Sequence, residues 1–223
     1  MNIVDITGPI HNGMWNYGAP FPEFSLTPIE SPDWVPYEVV GDIFVGLHSQ
    51  TGTYFETPGH FPAAGISYTV DQIPFADLID LPTHVIHLHR QMDTAARDPI
   101  TATDIKQALD AYGTIPLGET ILIDTDWGKY WREPFFLDCP YFTYEGFQLL
   151  LDLKPRMLGT DFPRWENLEQ MQHIFPGFYA QDIWMLNPVI NLDKIRGKGF
   201  LSVLPLKVEN SCCVPCRAFV RCG

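Results

Sequence analysis

The chain has 223 residues, of which 46% are hydrophobic, and this length suffices for one domain with a sizeable core. Its formal net charge of -13 argues against nucleic acid as a partner, because nucleic-acid phosphates would be repelled. No window approaches the roughly 18 unbroken apolar residues that a membrane helix needs, and the first residues show no signal-peptide pattern. We therefore expect a single cytoplasmic domain over residues 1–223, with no membrane partner.

Strands are predicted from runs that are rich in β-branched residues and bounded by glycine or proline. These runs lie at 2–7, 37–49, 83–89, 120–125, 156–160, 182–186, 200–206 and 214–221.

Two segments carry the start and stop signals of helices. In "TATDIKQALDAYG", Thr101 opens a capping pattern and Gly113 ends the apolar periodicity. In "TYEGFQLLLDLKP", Thr143 caps the first turn and Pro155 stops the run. A third helix is predicted around 166–175. Because helices alternate with strands in the middle of the chain, the sequence predicts an α/β fold with a mixed β-sheet and flanking helices.

Two other groups of side chains are interpreted as structural. Four cysteines crowd the end of the chain, and their spacing lacks the paired ligands of a zinc site, so we read them as buried or edge thiols in a reducing compartment. The segment "THVIHLH" has strand alternation, and its histidines are interpreted as core-edge or interface residues, not as metal ligands. The residues concerned are Cys212, Cys213, Cys216, Cys222, His84, His87 and His89.

The stretch "HSQTGTYFETPGHFP" has the spacing of a site. Gln50, Tyr54, Glu56 and His60 follow one another at intervals of four, two and four. If the chain is extended there, Tyr54 and Glu56 point the same way, since strand side chains alternate. Pro58 then presents His60 on a rigid turn. The spacing therefore predicts that several polar side chains converge on one spot.

This loop resembles the signature His-x-Gly-Thr-His-x-Asp-x-Pro-x-His of the cyclase family of metal-dependent hydrolases, which includes bacterial kynurenine formamidase and isatin hydrolase. Gly52, Thr53, Pro58 and His60 match it. The stretches "DITGPIHNGM", "ILIDTDWGKYW", "MLGTDFPRWE" and "LPLKVENSCCVPCRAFV" extend the resemblance along almost the whole chain. The resemblance implies a kynurenine formamidase/cyclase-like fold of the swivelling β/β/α type. It also implies a homo-oligomer, either a dimer or a tetramer.

The chain departs from the family pattern at the residues expected to bind metal. Gln50 and Tyr54 stand where the family has histidines, and Glu56 replaces its aspartate. His173 matches a further histidine ligand, whereas Asn187 stands where the family has a glutamate. A glutamine carbonyl is a weak zinc ligand, and a phenol must first lose a proton of pKa about 10. We expect at most one divalent ion, zinc or manganese, on Glu56 and His173, or none.

Three functions remain open. The first is an arylformamidase-like hydrolase of a small amide, lactam or lactone with an altered metal site. The second is a metal-independent cyclase, dehydratase or isomerase, in which Glu56 and His60 act as an acid/base pair and Tyr54 donates a hydrogen bond to an oxyanion. The third is a non-catalytic member that binds a small molecule. The predicted substrate contacts are Gln50, Trp15, Tyr17 and Asn187.

Overall fold

A computed structural model of the chain describes residues 2–88, 91, 93–94 and 96–223. Its strands are β1 (Asn2–Asp5), β2 (Ser25–Ile29), β3 (Gly41–Val45), β4 (Tyr54–Glu56), β5 (Leu81–His87), β6 (Pro99–Ile100), β7 (Thr120–Asp124), β8 (Tyr141–Phe142), β9 (Met157–Thr160), β10 (Trp184–Asn187), β11 (Lys198–Pro205) and β12 (Cys213–Cys222). Its helices are α1 (Ala102–Tyr112), α2 (Tyr144–Leu151) and α3 (Phe175–Tyr179). Over this part of the chain, no helix has the length and apolarity needed to cross a membrane.

The main sheet closes into a barrel. The strands follow the order β12-β11-β5-β7-β9-β10-β4, and β4 pairs in turn with β12. The neighbours from β5 to β10 are parallel, and the remaining pairs are antiparallel, so the predicted mixed sheet is confirmed. Closure was not predicted, because it depends on β4. That strand has only three residues and lies in a loop of polar side chains.

The barrel is filled by one apolar cluster, and a second cluster covers the other face of the sheet. All seven strands contribute to the filling, which includes Phe55, Val85, Leu122, Met157, Leu186, Val203 and Val214. Burial of one such side chain contributes roughly 1.5–3 kcal/mol. The second cluster joins Ile121 and Ile123 of β7 to residues of α1 and α2. In β4, alternation puts Phe55 in the filling and Tyr54 in the second cluster.

The first two predicted helices are confirmed with their caps. Thr101 Oγ1 accepts a hydrogen bond from the backbone N–H of Asp104 at 3.3 Å, and the Asp104 carboxylate accepts from the Thr101 N–H at 2.7 Å. Thr143 Oγ1 accepts from the Gly146 N–H at 3.1 Å. Each cap contributes about 1 kcal/mol, since it satisfies N–H groups that the first turn leaves unpaired.

The helix predicted around 166–175 is wrong, because α3 begins only at Phe175. The backbone carbonyl of Glu166 accepts a 2.7 Å hydrogen bond from the Arg97 guanidinium. The Glu166 carboxylate accepts one from the Ile174 N–H at 2.7 Å. His173 has a left-handed φ of 56°. These contacts hold an irregular loop against the barrel, and helical hydrogen bonding starts only after it.

The histidines of "THVIHLH" that the structure describes have structural partners. The His84 ring contacts the Tyr112 hydroxyl and the Glu119 carboxylate. His87 Nδ1 lies 2.5 Å from Asp124 Oδ2. His89 lies outside the described residues. These contacts agree with the structural interpretation of His84 and His87.

The C-terminal thiols are free, and three of the four are distributed over both faces of the last strand. Cys213 belongs to the cluster outside the barrel, whereas Cys216 and Cys222 pack against the barrel filling. Cys212 lies in the loop before β12. That they bind no structural zinc stays a prediction.

Candidate active site

One cavity of about 620 Å³ collects most of the residues singled out in the sequence. It lies beside β4 and β10, on the face of the sheet opposite the barrel filling. Seven predicted site residues line it: Tyr17, Gln50, Tyr54, Glu56, His60, His173 and Asn187. Residues separated by more than a hundred positions therefore share one chamber.

The signature loop is tied down at both ends. Gly52 adopts a left-handed φ of 72°, and a Cβ there would stand 2.8 Å from Ile10. Thr53 Oγ1 donates a 2.7 Å hydrogen bond to the Pro188 carbonyl and accepts one from the Gly8 N–H at 2.9 Å. The next three residues form β4, which lies between β10 and β12. The loop that carries the site is thus also the strand that closes the barrel.

Glu56 is the buried acid of the site, with 1% of its surface exposed. Its Oε1 accepts a 2.8 Å hydrogen bond from the Tyr179 hydroxyl, and its Oε2 accepts one from Gln50 Nε2 at 3.1 Å. Burial and the neighbouring Glu56 charge raise the pKa of Tyr179 well above 10, so this phenol remains a donor. Both carboxylate oxygens are therefore held in place by neutral donors.

His60 stands at the edge of the cavity next to this acid. Its Nε2 lies 3.7 Å from Glu56 Oε1, and 41% of its side chain is exposed. A backbone turn formed by Pro58, Gly59 and His60 presents the ring. The separation exceeds a normal hydrogen bond, but one water molecule can contact both atoms. An imidazole and a carboxylate with a shared water form an arrangement suited to proton transfer.

Tyr54 uses its hydroxyl inside the protein. It lies 3.1 Å from the Tyr17 hydroxyl, which itself donates to the Pro163 carbonyl at 3.0 Å. Because each phenol has one proton, Tyr54 donates to Tyr17. Burial, with the nearby Tyr17 and Glu56, raises the pKa of Tyr54 well above 10. The predicted hydrogen bond from Tyr54 to a substrate oxygen would require this internal bond to break.

Asn187 is likewise engaged by its neighbours. Its Oδ1 accepts from the Thr160 hydroxyl at 2.7 Å and from Trp165 Nε1 at 3.1 Å. Its Nδ2 donates to the Pro163 carbonyl at 3.1 Å. These hydrogen bonds connect the Asn187 amide on β10 to the end of β9 and to the loop that follows β9. Only the second hydrogen of Asn187 Nδ2 is left for the predicted contact between Asn187 and a substrate.

Trp15 is not among the residues that line this cavity, and its predicted contact with substrate stays a prediction. Its ring packs edge-on against Tyr17 and Trp131, with centroids 5.4 Å and 5.3 Å apart. Its indole N–H is buried without a hydrogen-bond partner among the described residues. Aromatic packing in the second cluster therefore holds the Trp15 ring outside the cavity, where it packs against Tyr17.

The donor atoms do not fit a two-metal centre. The Tyr54 phenol keeps its proton, the Asn187 oxygen already accepts two hydrogen bonds, and Gln50 turns an N–H toward Glu56. Among the described residues, no group of three or more His, Cys, Asp or Glu side chains is placed to hold a metal ion. Glu56 and His173 share the chamber, but a metal between them stays a prediction.

Several lining residues were missed by the sequence analysis. They include Phe61, Arg164, Glu166, Leu168, Met171 and Tyr179. Three of them, Glu166, Leu168 and Met171, belong to the irregular loop before α3 that was taken for a helix. Tyr179 carried a signal only in its position within the apolar segment "FPGFY", which gave no reason to pair it with Glu56.

Comparisons with known proteins show the family of this chain. A sequence profile of a family described as Putative cyclase matches residues 4–167. An isatin hydrolase of Roseibium aggregatum is 30% identical over 196 residues, which are 78% of this chain and 71% of that protein.

Solved structures show the same fold. The crystal structure of an isatin hydrolase bound to the product analogue thioisatinate gives a TM-score of 0.83 at 24% identity, covering 98% of this chain and 91% of that one. A structure described as a potential metal-dependent hydrolase with cyclase activity gives a TM-score of 0.71 at 22% identity, covering 98% and 96% of the two chains.

Proposed function

Since this chain belongs to the cyclase family, we propose that it is a hydrolase that opens a small amide, lactam or lactone, with Glu56 and His60 as its acid/base pair. The observation that carries the proposal is the 3.7 Å separation between His60 Nε2 and Glu56 Oε1 at the wall of the 620 Å³ cavity. The isatin hydrolase from Roseibium, which is 30% identical, supports the choice of a cyclic amide as substrate.

The proposed reaction needs one water molecule and two proton transfers. The water that contacts Glu56 Oε1 loses a proton to the carboxylate as its oxygen attacks the carbonyl carbon. Protonated His60 then gives its Nε2 proton to the leaving nitrogen or oxygen as the bond to carbon breaks. The proton on Glu56 returns to His60 and resets the pair. Tyr179 and Gln50 hold the carboxylate in position throughout.

The proposed reaction uses no metal ion, because the residues that replace the family's expected ligands act as hydrogen-bonding groups. In this respect the proposed reaction differs from that of the neighbour described as a potential metal-dependent hydrolase. A metal-independent cyclase, dehydratase or isomerase would use the same pair, and a product analysis distinguishes these reactions from hydrolysis.

The test is turnover of isatin, N-formylkynurenine and small lactams, with products identified by mass. We expect one compound to gain the mass of water, and His60→Ala and Glu56→Gln each to reduce turnover by ~10²–10⁴-fold. The matched control is Gln107→Ala, a substitution at an exposed position of α1 away from the cavity. If His60→Ala retains most of the activity, this acid/base assignment is wrong.

We also propose a homo-oligomer, either a dimer or a tetramer. The β2–β3 hairpin exposes apolar side chains along both strands, including Leu26, Ile43, Phe44 and Val45 at 41–61%. Contiguous exposed apolar surface of this kind marks association sites. A cytoplasmic location also remains a proposal, supported by five free thiols, and the swivelling β/β/α description of the fold stays a prediction.

A further inference from the structure

Arg164 supplies a permanent positive charge to the cavity that holds Glu56 and His60. It is the one arginine or lysine among the described residues that line this cavity. It lies between Pro163 and Trp165 on the loop that follows β9, and it is half-buried. Because a guanidinium does not lose its proton in proteins, a fixed cation stands at the wall of a largely apolar chamber.

Hydrogen bonds fix the backbone that carries this side chain. The Arg164 N–H donates to Cys139 Sγ at 3.4 Å, and the Arg164 carbonyl accepts from the Arg97 guanidinium at 2.9 Å. The Pro163 carbonyl immediately before it accepts from the Tyr17 hydroxyl at 3.0 Å. The point from which the Arg164 side chain leaves the loop is therefore held in place.

The Arg164 guanidinium has no partner within the described part of the chain. The structure describes three other half-buried arginines, Arg97, Arg156 and Arg221, and each guanidinium donates to a carbonyl or pairs with a carboxylate. By contrast, no hydrogen bond, ion pair or ring contact joins the Arg164 guanidinium to a described residue. A cation that is partly removed from water loses hydration free energy unless an anion meets it. The guanidinium of Arg164 is therefore open to an anionic ligand.

The two acids that line the cavity have hydrogen-bond donors of their own. Glu56 accepts from Tyr179 and Gln50, and the Glu166 carboxylate accepts from the Ile174 N–H at 2.7 Å. Neither carboxylate relies on the arginine for a partner, so its positive charge is left to a ligand.

Four aromatic rings of the cavity lining lie nearly parallel to their neighbours. The rings of Phe61 and Tyr179 have centroids 5.9 Å apart and planes at 13°, and those of Trp165 and Phe175 are 6.1 Å apart at 14°. Phe175 and Tyr179, 6.0 Å apart at 21°, join the two pairs. Aromatic surface of this kind favours a ligand that is itself a planar ring.

We propose that the substrate opened in this cavity is an aromatic amide or lactam that carries a carboxylate besides the bond that is hydrolysed, and that Arg164 binds this carboxylate. The ligand ring packs on the aromatic lining, and the guanidinium donates two parallel hydrogen bonds to the carboxylate. Arg164 is thus a specificity-determining residue. The inference rests on the proposed hydrolysis for its substrate class, whereas the carboxylate contact is a binding event that is measured without turnover.

Acetophenone and its meta and para carboxylates are the probes, because a ketone offers a carbonyl group but has no leaving group to lose. Isothermal titration calorimetry of the purified chain gives the dissociation constant of each compound. We expect at least one of the two carboxylates to bind about tenfold or more tightly than acetophenone, since hydrogen bonds to charged groups suffice for such a difference.

The decisive variant is Arg164→Gln, which should bind the carboxylates no more tightly than acetophenone and leave the affinity for acetophenone unchanged. Arg164→Lys keeps the charge but loses the planar fork, so it should retain part of the preference. The matched control is Arg196→Gln, which removes one positive charge from an exposed arginine outside the cavity lining. This control should retain the whole preference.

An unmodified chain that binds neither carboxylate more tightly than acetophenone would overturn the proposal, absence of measurable binding included. An Arg164→Gln chain that keeps the preference would overturn it as well. Both results would leave the hydrolysis proposal standing, because turnover tests that proposal with other compounds. A preference that depends on Arg164, in a chain that hydrolyses none of those compounds, would reject the hydrolysis and keep the carboxylate contact.

Discussion

The hydroxyl of Tyr179 donates a 2.8 Å hydrogen bond to Oε1 of Glu56, joining residues that are 123 positions apart. The bond connects α3 to the strand that closes the barrel. Since Glu56 is almost wholly buried, its charge depends on this donor and on Gln50 for the stabilisation that water would give. The stabilisation of the Glu56 carboxylate therefore depends on the position of α3, which carries Tyr179.

Tyr179→Phe should destabilise the protein and impair the site. A hydrogen bond to a charged group contributes about 1.5–3 kcal/mol, and its loss leaves a buried carboxylate with one donor fewer. We expect the free energy of unfolding in urea to fall by an amount in that range. The matched control, Tyr144→Phe, changes a tyrosine that is 53% exposed. It should shift the free energy of unfolding by less than about 0.5 kcal/mol. Equal stability of the two variants would contradict the role given to Tyr179.

Tyr54→Phe should have a smaller effect on turnover than His60→Ala. Its hydroxyl already donates to Tyr17, so its loss removes an internal hydrogen bond of about 0.5–1.5 kcal/mol and no proton-transfer group. Steady-state kinetics of both variants on the same substrate would measure the difference. A loss of turnover in Tyr54→Phe as large as that in His60→Ala would restore Tyr54 as a direct donor to the substrate.

The site could be predicted where it depends on local spacing. Alternation along an extended segment put Tyr54 and Glu56 on one face, and the proline-rich turn put His60 beside them. The family resemblance added His173 and Asn187. Neither the local spacing nor the family resemblance predicts Tyr179 as a site residue, because its contact with Glu56 arises from packing of α3 against the barrel.

For a related reason, no local sequence pattern predicted the barrel closure or the irregular loop before α3. The three residues of β4 become a strand only because β10 and β12 supply partners on either side. The segment after Trp165 is kept out of a helix by the distant Arg97 and by the Glu166 carboxylate. Tertiary contacts overrode the local helix preference in that loop.

The metal content should be at most one weakly held divalent ion per chain. The phenol of Tyr54 stays protonated, and the Asn187 oxygen is occupied, so two of the positions that the family resemblance assigns to metal ligands offer no free donor. Elemental analysis of protein purified without added metal measures this directly. Two stoichiometric ions would refute the assignment, and turnover that vanishes on dialysis against a chelator would refute the metal-independent route.

Phe44→Asp should dissociate the proposed oligomer. A charge in the apolar hairpin would be desolvated in an interface, which weakens association. Phe75→Asp is the matched control, since Phe75 is 64% exposed and Phe44 is 61% exposed, but Phe75 lies outside the hairpin. Light scattering after gel filtration gives the mass of each protein. A monomeric unmodified chain, or equal dissociation by both variants, would reject the hairpin as the interface.

The His87–Asp124 pair should make stability depend on pH. The hydrogen bond that His87 Nδ1 donates to the Asp124 carboxylate raises the pKa of His87 above 6.5, and burial opposes this only in part. A group whose pKa is raised on folding binds its proton more tightly in the native state. The contribution of the His87–Asp124 pair to stability is therefore complete below the unfolded pKa of about 6.5 and is lost as the pH rises through the folded pKa of His87.

His87→Gln should consequently lower the urea midpoint more at pH 6 than at pH 9. A destabilisation by His87→Gln that is larger at pH 9 would reverse the sign and show that burial of the neutral ring dominates.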